Sequence, residues 1–209
     1  FHPTIPEDLR DAEYLFLANI DPDLQIEVLE QVDSPRVIAL DSMNYWMTTK
    51  KEALTRVLAM VDVVLLNEGE VKLYSQEANL IAGARHILAL GPKALVVKRG
   101  EYGSMLITRG GTLGDDLFMS PAYPVERVVD PTGAGDTFAA GFMGYLARTG
   151  EMSVEALRRA VVHGTVVASF TVEDFSIDRL RLLTMEEIEQ RYEAFRRMTS
   201  FGPSCIAAH

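Results

Sequence analysis

Through the first half of the chain, short and mostly apolar runs alternate with stretches of helical spacing. Tyr14–Ile20, Val37–Asp41, Val61–Leu66 and Ala94–Lys98 have little polar face, the mark of strands buried on both sides. Between them, Pro22–Val32 (opened by Asp21), Thr48–Met60, Glu68–Ser75 and Ala78–Leu90 place apolar residues at helical intervals. Strands that alternate with helices in this way predict an α/β fold with a parallel sheet covered on two sides. In such sheets, ligands sit beyond the carboxyl ends of the strands. The pattern changes after Lys98. Ser104–Thr108 and Leu117–Ser120 read as shorter antiparallel strands around a turn at Arg109-Gly110-Gly111. Three helices follow, at Ala134–Arg148, Ser153–Phe170 and Met185–Met198, the last opened by the capping box Thr184-x-x-Glu187. No repeat, low-complexity tract or linker interrupts the chain, so residues 1–209 are expected to form one domain.

Composition narrows the partners. The 209 residues suffice for one well-buried core. The net charge of −10, without a long Lys/Arg cluster, speaks against nucleic acid. It leaves phosphorylated small molecules open, since local dipoles and metal ions meet their charge. Cys205 is the one cysteine, so neither an intrachain disulfide nor a zinc cluster forms, and a reducing cytoplasm fits. No apolar run approaches the ~18 residues of a membrane span, and no signal peptide is visible. The opening Phe1-His2-Pro3 resembles neither an initiator nor a targeting segment, so the chain is expected to be part of a longer one.

The most informative stretch is residues 128–145, VVDPTGAGDTFAAGFMGY. Gly133 and Gly135 carry no Cβ, so the backbone can turn tightly and approach a ligand. The turn runs straight into a helix, whose unpaired N–H groups and dipole favour a phosphate or a developing oxyanion. Asp136 lies at the same spot. A carboxylate beside an anion hole is poor design for merely storing phosphate, but it suits a base that takes the proton of an attacking hydroxyl. Upstream, Asn67 and Glu70 stand three apart at a strand's carboxyl end. They suit Mg²⁺-bound phosphate, or equally a helix start whose acidic residues face the dipole. Lys98-Arg99-Gly100-Glu101-Tyr102-Gly103 closes the fourth strand; a plain turn would also explain it. Asp130 could hold the glycine turn through an Asx-type bond. His163 lies within a helix, where a lone histidine is usually a packing residue. His2, His86 and His209 show no partner spacing. Trp46 and the methionines around it read as core, and the loop from Asp41 to Asn44 is not assigned to a site.

Asp130-Pro131-Thr132-Gly133-Ala134-Gly135-Asp136-Thr137-Phe138 resembles the C-terminal signature of the ribokinase-like (PfkB) carbohydrate kinases. Asn67-x-x-Glu70 and Lys98-x-Gly100-x-x-Gly103 resemble two further elements of that family, in the expected order. The resemblance runs from about Tyr14 to Glu193. It implies a Rossmann-type three-layer α/β/α fold around a mostly parallel sheet. It also implies an ATP- and Mg²⁺-dependent kinase that phosphorylates a hydroxyl of a sugar or nucleoside-like substrate. Asp136 would then be the base, with Gly133, Ala134 and Gly135 forming the anion hole. Glu70 would hold Mg²⁺ through water, and Asn67 would bond a phosphate oxygen. Lys98, Gly100 and Gly103 would line the nucleotide's phosphate tail, and His163 would lie against the adenine. Asp130 and Thr132 would permit a K⁺ site. The family's first strands, its sugar-gripping glycine pair and its β-sheet lid have no counterpart here. The acceptor is thus unspecified, and a homodimer would lack its usual lid interface. The alternative from another class is a nucleotide-binding module without catalysis. A Rossmann dehydrogenase is disfavoured, because no G-x-G-x-x-G follows an early strand.

Overall fold

The computed structural model describes residues 1–110 and 116–201. Gly111 of the expected turn, Cys205 and His209 therefore lie outside the described residues. Six strands form one sheet in sequential order, β1 (Tyr14–Leu17), β2 (Val37–Asp41), β3 (Val63–Asn67), β4 (Ala94–Lys98), β5 (Ser104–Thr108) and β6 (Leu117–Ser120). The first four are parallel, β5 runs antiparallel to β4, and β6 runs antiparallel to β5. Residues alternate between faces along each strand. Leu40, Val64, Leu66, Leu95 and Val97 therefore enter one apolar cluster, and Ala39, Val63, Leu65, Ala94 and Val96 enter another.

The order of the strands decides which helices cover which face. Crossovers of constant hand that step one way along a sheet all fall on the same side. Accordingly α1 (Pro22–Leu29), α2 (Asn44–Thr49), α3 (Lys51–Leu58), α4 (Glu68–Ser75) and α5 (Leu80–Ala89) all contribute to the first cluster. The opposite face is covered by α6 (Ala134–Thr149) and α7 (Val154–Thr171), through Phe138, Phe142, Leu146, Leu157 and Val161. These two helices approach closely at a pair of glycines. A Cβ on Gly141 would stand 3.1 Å from the Cα of Gly164, and one on Gly164 would stand 2.8 Å from the Phe138 carbonyl oxygen. The short α8 (Asp178–Arg181), absent from the sequence reading, leads to α9 (Met185–Thr199). Phe195 of α9 packs with Val166 and Phe170 of α7.

Among the boundaries that differ from expectation, two have clear local reasons. The helix expected over Thr48–Met60 is broken at Lys50, whose backbone leaves the helical region (φ −137°, ψ 40°). Both Thr48 and Thr49 turn their hydroxyls back to the Tyr45 carbonyl, at 3.0 and 2.6 Å, a bond that competes with continuing the helix. Lys50 itself reaches Asp21 and Asp23 at 2.7 and 2.6 Å. The first strand ends at Leu17 rather than Ile20, because Ile20 N–H closes a turn onto the Ala18 carbonyl at 2.8 Å.

The capping box before α9 forms as expected. The Thr184 N–H donates to Glu187 Oε2 at 3.0 Å, and Arg179 donates to Oε1 at 2.6 Å. These donors, the Thr184 backbone first, hold the Glu187 carboxyl down to about 2. A depressed carboxyl stabilises the fold above its ordinary pKa and ceases to do so as pH falls through the folded value. Glu187→Gln should therefore lower the melting temperature at neutral pH, with the gap to the parent closing as pH drops from about 5 to about 2. A gap of equal size at both ends of that range would contradict this account.

Candidate active site

The carboxyl ends of β2, β3 and β4 meet at one edge of the sheet, where register places Lys98 opposite Asn67. Asn67 caps α4. Its Oδ1 accepts the Glu70 N–H at 2.8 Å, and Glu70 Oε2 accepts the Asn67 N–H at 2.7 Å. The Asn-x-x-Glu spacing is thus a reciprocal capping box, in which Glu70 is buried. Burial pushes the Glu70 carboxyl upward, only partly offset by the Asn67 N–H and the charge of Lys98. Its Oε1 has no hydrogen-bond partner among the described residues. Arg99 donates to Glu68 at 3.0 Å.

The glycine turn is built as its residues dictate. Asp130 Oδ1 accepts the Thr132 N–H at 2.9 Å, an Asx-type bond; this bond foremost lowers the Asp130 carboxyl. Gly133 then takes a left-handed conformation (φ 79°) as the residue before α6. The N–H groups of Gly133, Gly135 and Asp136 have no acceptor among the described residues. Ala134 differs from expectation, because its N–H is directed to the Pro131 carbonyl oxygen at 3.2 Å. The free donors at this helix start are those of Gly133, Gly135 and Asp136. Asp136 itself is exposed.

Between this turn and the sheet lies a cavity of about 850 Å³. Lys98, Gly100, Gly103 and Ser104 line it from the strand side, Gly135 and Phe138 from α6, and Thr165 and Ser169 from α7. A Cβ on Gly135 would stand 3.6 Å from Lys98 Nζ, so the ammonium faces the helix start directly. The two loop glycines serve different ends. Gly100 (φ 58°) has nothing within 4 Å of a would-be Cβ, whereas Gly103 (φ 86°) lies against the backbone of Ser120 and Pro121 at the end of β6. Gly103 thus joins loop to sheet as well as lining the cavity.

Two expectations change. His163 does not reach the cavity. Its ring is stacked between Tyr145 and Tyr192, with centroids 4.5 Å away on either side, so neither ring face remains for an adenine. The α7 residues that do line the cavity, from Thr165 to Ser169, lie on the other side of the helix at its 100° per residue. In the opposite sense, Asp41, which the sequence assigns to no site, belongs to the cluster. Lys98 Nζ donates to its Oδ2 at 2.6 Å, with both side chains largely buried (19% and 10% exposed). Burial raises the Asp41 carboxyl despite Lys98, and the charge of Asp136 acts on it in the same direction. Its position as the last residue of a strand, beside strands that end in Asn67 and Lys98, was the available signal.

Residues 6–177 match the model of the pfkB family of carbohydrate kinases, and the chain belongs to that family. Cytidine kinase from Thermococcus kodakarensis is 30% identical over 149 residues, 69% of this chain and 51% of its own length. A nucleoside kinase from Methanothermobacter thermautotrophicus is 29% identical over 199 residues, 94% of this chain and 57% of its own. The chain thus spans little more than half of these relatives. The structure of Arabidopsis thaliana ribokinase complexed with ribose and ATP aligns with a TM-score of 0.73 at 22% identity, covering 92% of this chain and 61% of that one. That likeness establishes the shared fold. Among the described residues, no helix is long and apolar enough to cross a membrane.

Proposed function

We propose that this chain is the phosphoryl-transfer part of an ATP-dependent kinase acting on a hydroxyl of a sugar or nucleoside. One observation carries the reading. A helix start with three free N–H groups, a lysine ammonium and an exposed carboxylate converge at the mouth of a cavity large enough for a nucleotide. The names of the two relatives favour a nucleoside as acceptor.

When bound, ATP with Mg²⁺ supplies the transferable phosphoryl group. Asp136 accepts the proton of the acceptor hydroxyl at its carboxylate. The N–H groups of Gly133, Gly135 and Asp136 and the Lys98 ammonium face the negative oxygens of the transferring group. The donor set fits Mg²⁺ rather than a protein-caged metal, because no three His, Cys, Asp or Glu side chains converge among the described residues. Magnesium keeps most of its waters and leans on phosphates and one or two carboxylates. Glu70, with one oxygen uncommitted, would hold it through water. Asn67 would keep its side-chain NH₂ for a phosphate oxygen, and Asp130 and Thr132 would be the residues through which potassium acts.

The test is ADP release with a panel of nucleosides and sugars, in KCl and in choline chloride, together with calorimetric binding of ADP and Mg²⁺. Acceptor-dependent ADP release is the expected result. Nucleotide binding without turnover on any acceptor would favour a non-catalytic binding module.

A further inference from the structure

The Lys98–Asp41 pair reaches across the sheet. β3 lies between the strands that carry the two residues, so the side chains bridge roughly 9–10 Å of strand spacing. Both Asp41 oxygens are committed, Oδ2 to Lys98 and Oδ1 to the Ser42 N–H at 2.8 Å. A phosphate-facing lysine gains nothing from a carboxylate partner, because that carboxylate repels the phosphate. The pair therefore needs a reason of its own.

The neighbouring carboxylates supply it. Glu70 Oε2 already accepts a backbone N–H, whereas Asp136 has no hydrogen-bond partner among the described residues. Lys98 lies against Gly135, the residue before Asp136, on a flexible four-carbon stem. Released from Asp41, the ammonium can turn to Asp136, both of whose oxygens are uncommitted, as well as to the one free oxygen of Glu70. An ion pair with Asp136 would occupy the oxygen lone pairs that a base needs.

We propose that Asp41 is a positioning residue, which pins the Lys98 ammonium beside the anion-binding turn and keeps it off Asp136. Its effect on turnover rests on the kinase reading; the pinning itself does not. The proposal separates binding from catalysis. Replacing Asp41 by a neutral residue removes a negative charge near the phosphates, so nucleotide affinity holds or improves while turnover falls. A merely structural defect would weaken both.

Asp41→Asn and Asp41→Glu in the full protein test this. In Asp41→Asn, kcat should fall by roughly tenfold or more, with the calorimetric Kd for ADP and Mg²⁺ unchanged or tighter. Asp41→Glu keeps the charge and should recover most of kcat. A ¹H–¹⁵N spectrum of the lysine ammonium groups reads the pair without any turnover. The Lys98 cross-peak, protected from exchange in the parent, should vanish in Asp41→Asn and persist in Asp41→Glu. A kcat within about twofold of the parent in Asp41→Asn, a parallel loss of affinity and kcat, or an unchanged Lys98 cross-peak would each overturn the proposal. If the parent releases no ADP with any acceptor, the kinase reading falls and the ammonium spectrum alone decides the pinning.

Discussion

Asp136→Asn is expected to abolish turnover, with kcat down by about 10³–10⁴-fold, while the affinity for ADP and Mg²⁺ is retained. The amide has the shape of the carboxylate, so the helix start of α6, with its free N–H groups at Gly133, Gly135 and position 136, stays as it is. What is lost is an oxygen able to take a proton. The substitution also removes a negative charge from beside the phosphates, so binding has no electrostatic reason to weaken. Steady-state ADP release and calorimetry on the same preparation separate the two effects. Turnover within about tenfold of the parent would remove Asp136 from the role of base.

The largest stability effect is expected at Gly103. Its backbone (φ 86°, ψ −138°) lies where L-residues do not go, and an added Cβ would collide with the Ser120 carbonyl oxygen and with Pro121. Neither neighbour can yield. Ser104 is paired on one side with Lys98 and on the other with Ser120, so any retreat breaks the ladder that holds β4, β5 and β6 together. Gly103→Ala should destabilise the protein by about 3 kcal/mol or more. Gly100→Ala provides the control, because it also has a positive φ but open space around it. It should cost only about 1–2 kcal/mol. Chemical denaturation of the two variants checks the difference, and equal losses would show that contact with β6 is not the cause.

The contrast between these glycines shows where the sequence was legible. Strands buried on both faces announced themselves as apolar runs, and β2, β4, β5 and β6 begin and end where those runs do. The glycine turn and the capping box of Thr184 and Glu187 were readable because their chemistry is local. The spacing of Asn67 and Glu70 marked a helix start, but not that the two side chains cap each other's backbone. What escaped depends on contacts distant in sequence. Lys98 and Asp41 are 57 residues apart and meet because register brings two strand ends level. The sandwich around His163 joins three helices, α6, α7 and α9, and helical spacing within α7 says nothing about the other two. The break at Lys50 arises from two threonine hydroxyls that compete with a helix their neighbours would otherwise continue.

The sequential strand order has a further consequence for how the molecule is made. Every helix up to residue 89 covers the same face, so the opposite face of Ala39, Val63, Leu65, Ala94 and Val96 waits for α6 and α7. Synthesis proceeds from the N-terminus at about 5–20 residues per second. Until α6 and α7 have emerged, the helices that cover that apolar face are still missing. The same two helices form one wall of the cavity, so the cavity is among the last parts of this chain to be completed. Closing the second face of the core and completing the cavity thus fall to the same stretch of chain.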